Sequence, residues 1–315
     1  MTFPSPTITP PSLGAYGLSY NGTAFGGIVN PITGGPAGYA TIAPNGVTGH
    51  DRAVVTSQDT QRNLDEGEWP GIDVLTGRDV LVQMNVISDG TSLQHALTAL
   101  QACFANVGVT EYPFFLQMPN QSLRVCMARP RGFTYPVDIN YVQAGLAVVS
   151  LRMHATDPRW YDTPTQALTI GLAAPGVGIG FPISFPVSFG GSSSGGALIC
   201  DNYGNYEMRP LLVVTGPCTN PTIGNASIAG NPRLTFNVTL NAGDKLTIDT
   251  DAQSATLVTA GSPASSGASR LGTLAVGSTW WNLPPGGNTI QFSSSDPTQV
   301  AGTLTVEFAD AWNAI

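Results

Sequence analysis

The sequence predicts a mainly β protein with one flanking helix, and three observations carry that prediction. Charge is scarce, turn-forming residues are abundant, and apolar side chains alternate along short stretches. Charged residues make up 10% of the 315 residues, against about 25% in ordinary domains. Polar surface must then come from Ser, Thr, Asn and Gln, which suit strands and loops better than exposed helices. The 37 glycines and 25 prolines point to many turns. The alternation is plainest in Thr303-Leu304-Thr305-Val306-Glu307-Phe308, where every second side chain is apolar, as a half-buried strand requires.

Residues 1–50 are rich in Gly, Pro and Thr, with short apolar pieces such as Leu13 to Tyr20 and Phe25 to Val29 that read as strands joined by loops. Asp51 to Thr56 reads as a strand and Leu64 to Arg78 as an acidic loop around Trp69-Pro70-Gly71. In Asp79 to Ile87, Val80, Val82, Met84 and Val86 share one face. The helix falls at about 92–107. Leu93, Leu97, Leu100, Phe104 and Val107 recur at spacings of four and three, Thr91 or Ser92 can cap the start, and Gly108 can end it. Tyr112 to Met118 and Leu123 to Arg129 form a hairpin around Pro119-Asn120. Leu146 to Ala155 is a strand whose inner face is Ala147, Val149, Leu151 and Met153.

Proline in Asp157-Pro158-Arg159-Trp160 blocks ladder pairing, so a first domain closes at 1–162. The second, 163–315, opens with a Gly-, Pro- and Ser-rich arm at about 171–197. Beyond the arm only strands are expected: Ala197 to Asp201, Arg209 to Thr215, Ala226 to Ala229, Leu234 to Leu240, Lys245 to Asp249, Ala255 to Val258 and the terminal set ending at Ala311-Trp312. Short strands at regular spacing without a helix imply a two-sheet sandwich of jelly-roll type.

The net charge is −8, with a single lysine, Lys245, among the 12 basic residues. A protein that grips nucleic acid needs clustered cations to displace phosphate counterions, and none cluster here, so stable nucleic-acid binding is not expected. No run of about 18 apolar residues suggests a membrane span, and Met1-Thr2-Phe3-Pro4 does not read as a signal peptide. Cys103, Cys126, Cys200 and Cys218 lack a Cys-x-x-Cys pair and read as small buried side chains.

Catalytic and metal patterns fail on context. His50, His95 and His154 have no paired spacing, so no metal site is expected. Gly191-Ser192-Ser193-Ser194-Gly195 has the form of a nucleophile elbow but lies in a Ser/Gly arm, without the strand before and helix after that the elbow needs. Gly176-Val177-Gly178-Ile179-Gly180 fails as a phosphate loop for the same reason. Asp65, Glu66 and Glu68 sit on one loop, which sets no defined separation for glycoside hydrolysis. Asp249-Thr250-Asp251, with Asp244, reads either as turn chemistry or as part of a calcium site. No cofactor and no enzymatic activity are expected. Trp280-Trp281 has two readings: alternation sends one ring inward and the other to solvent, where it meets a neighbouring chain or stacks on a glycan.

Several segments together resemble the distal tail protein (Dit) family of siphophages. These are Tyr20-Asn21-Gly22 with Phe25-Gly26, then Trp69-Pro70-Gly71-Ile72-Asp73 with Gly77-Arg78, the junction Ala155 to Tyr161, Gly243-Asp244 with Ile248-Asp249-Thr250, and Leu283-Pro284-Pro285-Gly286-Gly287-Asn288-Thr289-Ile290. An extra Pro-Gly spacing in the last hairpin departs from the family pattern. The resemblance implies a tail-tube-like N-terminal β-domain with one helix and a galectin-like C-terminal sandwich. It implies a virion protein of the phage tail tip, assembled in the bacterial host cytoplasm. Six copies would form a ring between the tail tube and the tail-tip hub, in contact with tail tube protein, tape measure protein and hub protein, with DNA passing through. The strong preference for Arg over Lys fits a GC-rich, actinobacteriophage-like genome. On this reading Trp69, Pro70, Asp73 and Arg78 are inter-subunit contacts, and Trp280 and Trp281 partner contacts. The alternative is a glycan-binding sandwich contributing to host adhesion.

Overall fold

The computed structural model describes residues 9–13, 17–26, 39–87, 93–105, 108–172, 196–296 and 301–314. Thr91, Ser92 and Val107 of the expected helix, the Gly-rich and Ser-rich motifs at 176–180 and 191–195, and nearly all of the 171–197 arm lie outside them. The chain divides into two compact units. One comprises Thr2–Pro164 together with Ala311–Ile315, and the other Thr165–Asp310.

The first unit is built on one antiparallel sheet. Its order is Thr23–Gly26, Gly17–Tyr20, Tyr112–Gln117, Leu123–Thr134, Leu146–Ala155, Arg78–Ile87, Tyr39–Thr48. The strand Leu123–Thr134 serves two halves of the sheet. Its first part pairs with Tyr112–Gln117 and its last part with Leu146–Ala155, and the register shifts between Pro130 and Gly132. A bulge bends a strand where a proline cannot donate to the ladder.

The alternations read from sequence hold in this unit. Val80, Val82, Met84 and Val86 are buried, as are Ala147, Val149, Leu151 and Met153. The helix spans Leu93–Cys103 and buries Leu93, Ala96, Leu97 and Leu100, with Phe104 just beyond it. These side chains share one core with the sheet and with Tyr20, Phe114 and Trp160. Burying each large apolar side chain contributes roughly 1.5–3 kcal/mol, which outweighs the modest propensity of so short a helix.

A second helix, Ile139–Gln143, was not legible in the sequence. Five residues are too few for a periodic stripe, and the helix buries none of them. Asp138 caps it by accepting from the Tyr141 N–H at 3.0 Å.

The second unit has a six-stranded and a four-stranded sheet. The first runs Gln166–Gly171, Thr303–Phe308, Leu211–Thr215, Lys245–Asp249, Ser254–Val258, Ala268–Ser269, and the second Ala197–Asn202, Gly286–Ser293, Thr222–Asn225, Arg233–Thr235. Leu212, Val214, Leu246, Ile248, Leu304, Val306 and Phe308 are buried from one sheet, and Ile223, Leu234, Ile290 and Phe292 from the other. One buried face per sheet is the construction of a β-sandwich.

Three local expectations are corrected. The stretch Leu234 to Leu240 is interrupted, because Asn237 bonds to Thr273 and Val238 to Phe236 instead of to a ladder. Residues 226–229 form a turn, closed by Asn231 N–H to the Ile228 carbonyl, with Gly230 and Asn231 in the left-handed region. Leu64 to Arg78 is not a plain loop but part of a hairpin.

Candidate functional site

That hairpin is largely exposed. Val55–Thr56 pairs with Val74–Leu75, and Thr60–Gln61 pairs with Glu68–Trp69, both antiparallel. The two ladders make one arm, closed at its base by Thr76 N–H to the Val54 carbonyl and near its tip by Arg62 N–H to the Gly67 carbonyl. Midway, Asp59 accepts from the Gly71 N–H at 2.7 Å. A Cβ at Gly71 would lie 2.2 Å from the Gln58 carbonyl oxygen, so only glycine lets the strands approach there. Val54, Leu64, Trp69, Ile72 and Val74 all stand in solvent, Leu64 fully so at the tip. Exposed apolar side chains of this size, gathered on one element, mark an interaction surface.

Of the four contacts expected from sequence, three lie on this arm. Trp69 is 61% exposed, with the Arg62 guanidinium 4.6 Å over its ring. Pro70 and Asp73 are exposed beside it. Arg78 points the other way and is 2% exposed. Its guanidinium donates to the carbonyls of Pro158 and Gly49 at 2.8 Å, of Asn313 at 2.5 Å, and of Asp51. It also lies 5.6 Å over the Trp160 ring. Burial lowers its pKa from the ordinary arginine value, and the ring of carbonyls supplies the partners a buried cation needs. Its side chain therefore serves the fold and not the surface.

The terminal Ala311–Trp312 pairs with Trp160–Asp162 and so belongs to the first unit's sheet, not to the sandwich. Arg78 and Arg124 clasp this segment from the sheet side.

Trp280 and Trp281 lie on an irregular segment of the second unit. Trp281 is buried and Trp280 is half-exposed. Both line a cleft of about 430 Å³ with Glu207, Thr279, Asn282 and Pro284. The hairpin after them is held from beneath. Asn225 Nδ2 donates to Asn288 Oδ1 at 3.0 Å, and Asn288 Nδ2 donates to the Pro284 and Gly286 carbonyls.

The carboxylates weighed as a calcium site are engaged in turns. Asp249 accepts from the N–H groups of Asp251 and Ala252, and Asp251 pairs with Arg209. Asp244 accepts from Ala260 N–H and Asn241 N–H, which hold its carboxyl below the usual range. Among the described residues, no three His, Cys, Asp or Glu side chains converge as metal ligands would. The four cysteines are free thiols, and burial pushes the Cys200 thiol up to about 12.

The described residues thus form a β-domain carrying an exposed arm and, in the second unit, a β-sandwich. Residues 203–312 match the family of the siphovirus-type tail component, C-terminal domain. The fold is similar to the crystal structure of SPP1 Dit, described as a paradigm of the hub adsorption apparatus in phages infecting Gram-positive hosts. The TM-score is 0.59 at 13% identity, over 92% of this chain and 97% of that one. A chain of the phage P2 baseplate in its activated conformation matches with TM-score 0.47 and 11% identity, over 85% of this chain and 90% of that one. No curated protein matches. Residues 203–312 thus resemble the C-terminal domain of a siphovirus-type tail component, and the chain shares its fold with SPP1 Dit.

Proposed function

We propose that this chain is the distal tail protein of a siphovirus virion, six copies of which close into a ring joining the tail tube to the tail-tip hub, with DNA passing through. The observation that carries the self-assembly is the arm, whose five large apolar side chains stand exposed among the described residues. Tail tube protein, tape measure protein and hub protein are the neighbours this position implies. The low positive charge suits a channel, since a surface without cation clusters does not retain DNA. The proposed role is mechanical and calls for no catalytic group.

Native mass measurement tests the ring. The expected species is six times the 32.7 kDa chain, and deletion of residues 65–76 reduces it to smaller forms while the second unit still folds. A chain that stays monomeric at high concentration sinks the proposal.

A second reading rests on the cleft. The half-exposed Trp280 ring beside Glu207 and Asn282 offers the stacking face and polar groups that a sugar uses. Glycan-array binding that is lost in Trp280→Ala supports an adhesive role, and no binding by the wild type removes it.

A further inference from the structure

We propose that the strand Trp160–Asp162 borders a peptide-binding slot for an extended segment, and that its filling by residues 311–314 makes the first unit competent to associate. This rests on the ring reading above and adds a condition that association must meet.

The slot is built from residues remote from its occupant. Trp160–Asp162 pairs with Leu123–Thr134 on one side and with Ala311–Trp312 on the other. Without the second partner this strand is an open edge. Arg78 donates to the Asn313 carbonyl at 2.5 Å, and Arg124 donates to the Ala314 carbonyl at 3.0 Å. The Trp312 ring lies under the Arg124 guanidinium and packs against the core that holds Trp160. Recognition therefore reads main-chain carbonyls and one indole. That is the chemistry of strand addition, in which backbone bonds hold an extended peptide and a side-chain contact selects it.

Both guanidinium groups are buried, Arg78 at 2% exposed and Arg124 at 7%. Emptying the slot takes one acceptor from each, and a buried cation short of partners is costly.

Arg78 also ties the slot to the foot of the arm. Its other acceptors include the carbonyls of Gly49 and Asp51, which stand just before the arm. Arg78 itself follows Thr76, whose N–H closes the base of the arm on the Val54 carbonyl. One side chain thus bonds the occupant and the segment leading into the arm. Filling the slot holds that side chain in place, and with it the base of the arm.

The second unit delivers the occupant. There Gln166–Gly171 pairs with Thr303–Phe308, with Gln166 opposite Phe308. This ladder joins the strand that leaves the first unit to the strand that returns to it, so the long loop is already closed when residues 311–314 reach the slot. A chain whose second unit is unfolded lacks that delivery, which couples association to completion of the whole molecule.

The test removes the occupant and returns it in trans. A chain ending at Asp310 should associate at least about tenfold more weakly in native mass measurement. Its first-unit thermal transition should fall by at least about 5 °C, with that of the second unit unmoved. A synthetic peptide of residues 309–315 should restore both, saturably and below about 1 mM. The same peptide carrying Trp312→Ala should restore neither, which separates filling of the slot from general stabilisation. Full-length Trp312→Ala should weaken association in the same direction, and it needs no shortened chain. A shortened chain that associates like the wild type, one that the native peptide fails to restore, or equal rescue by the altered peptide overturns the slot while the ring stands. A full-length chain that never associates overturns the ring and the competence that rests on it, while rescue of the thermal transition still decides whether the slot binds peptide.

Discussion

The guanidinium of Arg124 lies 4.0 Å over the ring of Trp312 and donates to the Ala314 carbonyl at 3.0 Å. Arg124 is buried and also pairs with Asp162 at 3.1 Å. Residues nearly two hundred positions apart thus complete one sheet edge.

Trp312→Ala removes the stacked ring and opens that edge. The first unit should lose about 2 kcal/mol, combining a cation–π contact with lost packing. Thermal unfolding followed by tyrosine and tryptophan fluorescence should show its transition shifted down and that of the second unit unmoved. Equal shifts in both transitions would contradict the assignment of this segment.

Arg78→Met leaves four carbonyls without their shared donor in a buried site. A loss of at least about 3 kcal/mol is expected, since bonds to a charged group are strong and their orphaned partners costly. Urea denaturation measures it. A midpoint within error of the wild type would show that water replaces the guanidinium.

Leu97→Asp places a carboxylate where the helix meets the sheet, at a position 1% exposed. The unpaired charge should unfold the first unit at ambient temperature. Retention of the native circular dichroism spectrum would show that the helix tolerates turning that residue outward.

Asp244 links the second unit to pH. Its carboxyl is held below the ordinary range, first by the Ala260 N–H and then by the Asn241 N–H. A depressed folded pKa contributes stability that is fully present above the unfolded value, about 3.9. That contribution is lost as pH falls through the folded value. Acid titration of the second unit should therefore show a component below about pH 4 that Asp244→Asn removes. An unchanged acid profile in that variant would remove Asp244 as its source.

The candidate surface was only partly legible. Trp69, Pro70 and Asp73 were expected as contacts from the family resemblance, and all three are exposed on the arm. Arg78 shares that stretch of sequence, yet its partners lie at Pro158 and Asn313. No local pattern encodes contacts so distant. The pairing of Asp79 with Arg152 and His154 was not visible either, because these residues meet only across paired strands.

Short-range chemistry was written in the chain: which side of each long strand is apolar, the stripe of Leu93, Leu97 and Leu100, and the Gly243-Asp244 turn. Periodicity and turn preference act over a few residues, so one sequence suffices to read them. Tertiary structure alone decided where Ala311–Trp312 pairs, that residues 54–76 rise as an arm, and that Ile139–Gln143 coils. Each of those outcomes depends on partners remote in sequence or on a capping bond too local to leave a period.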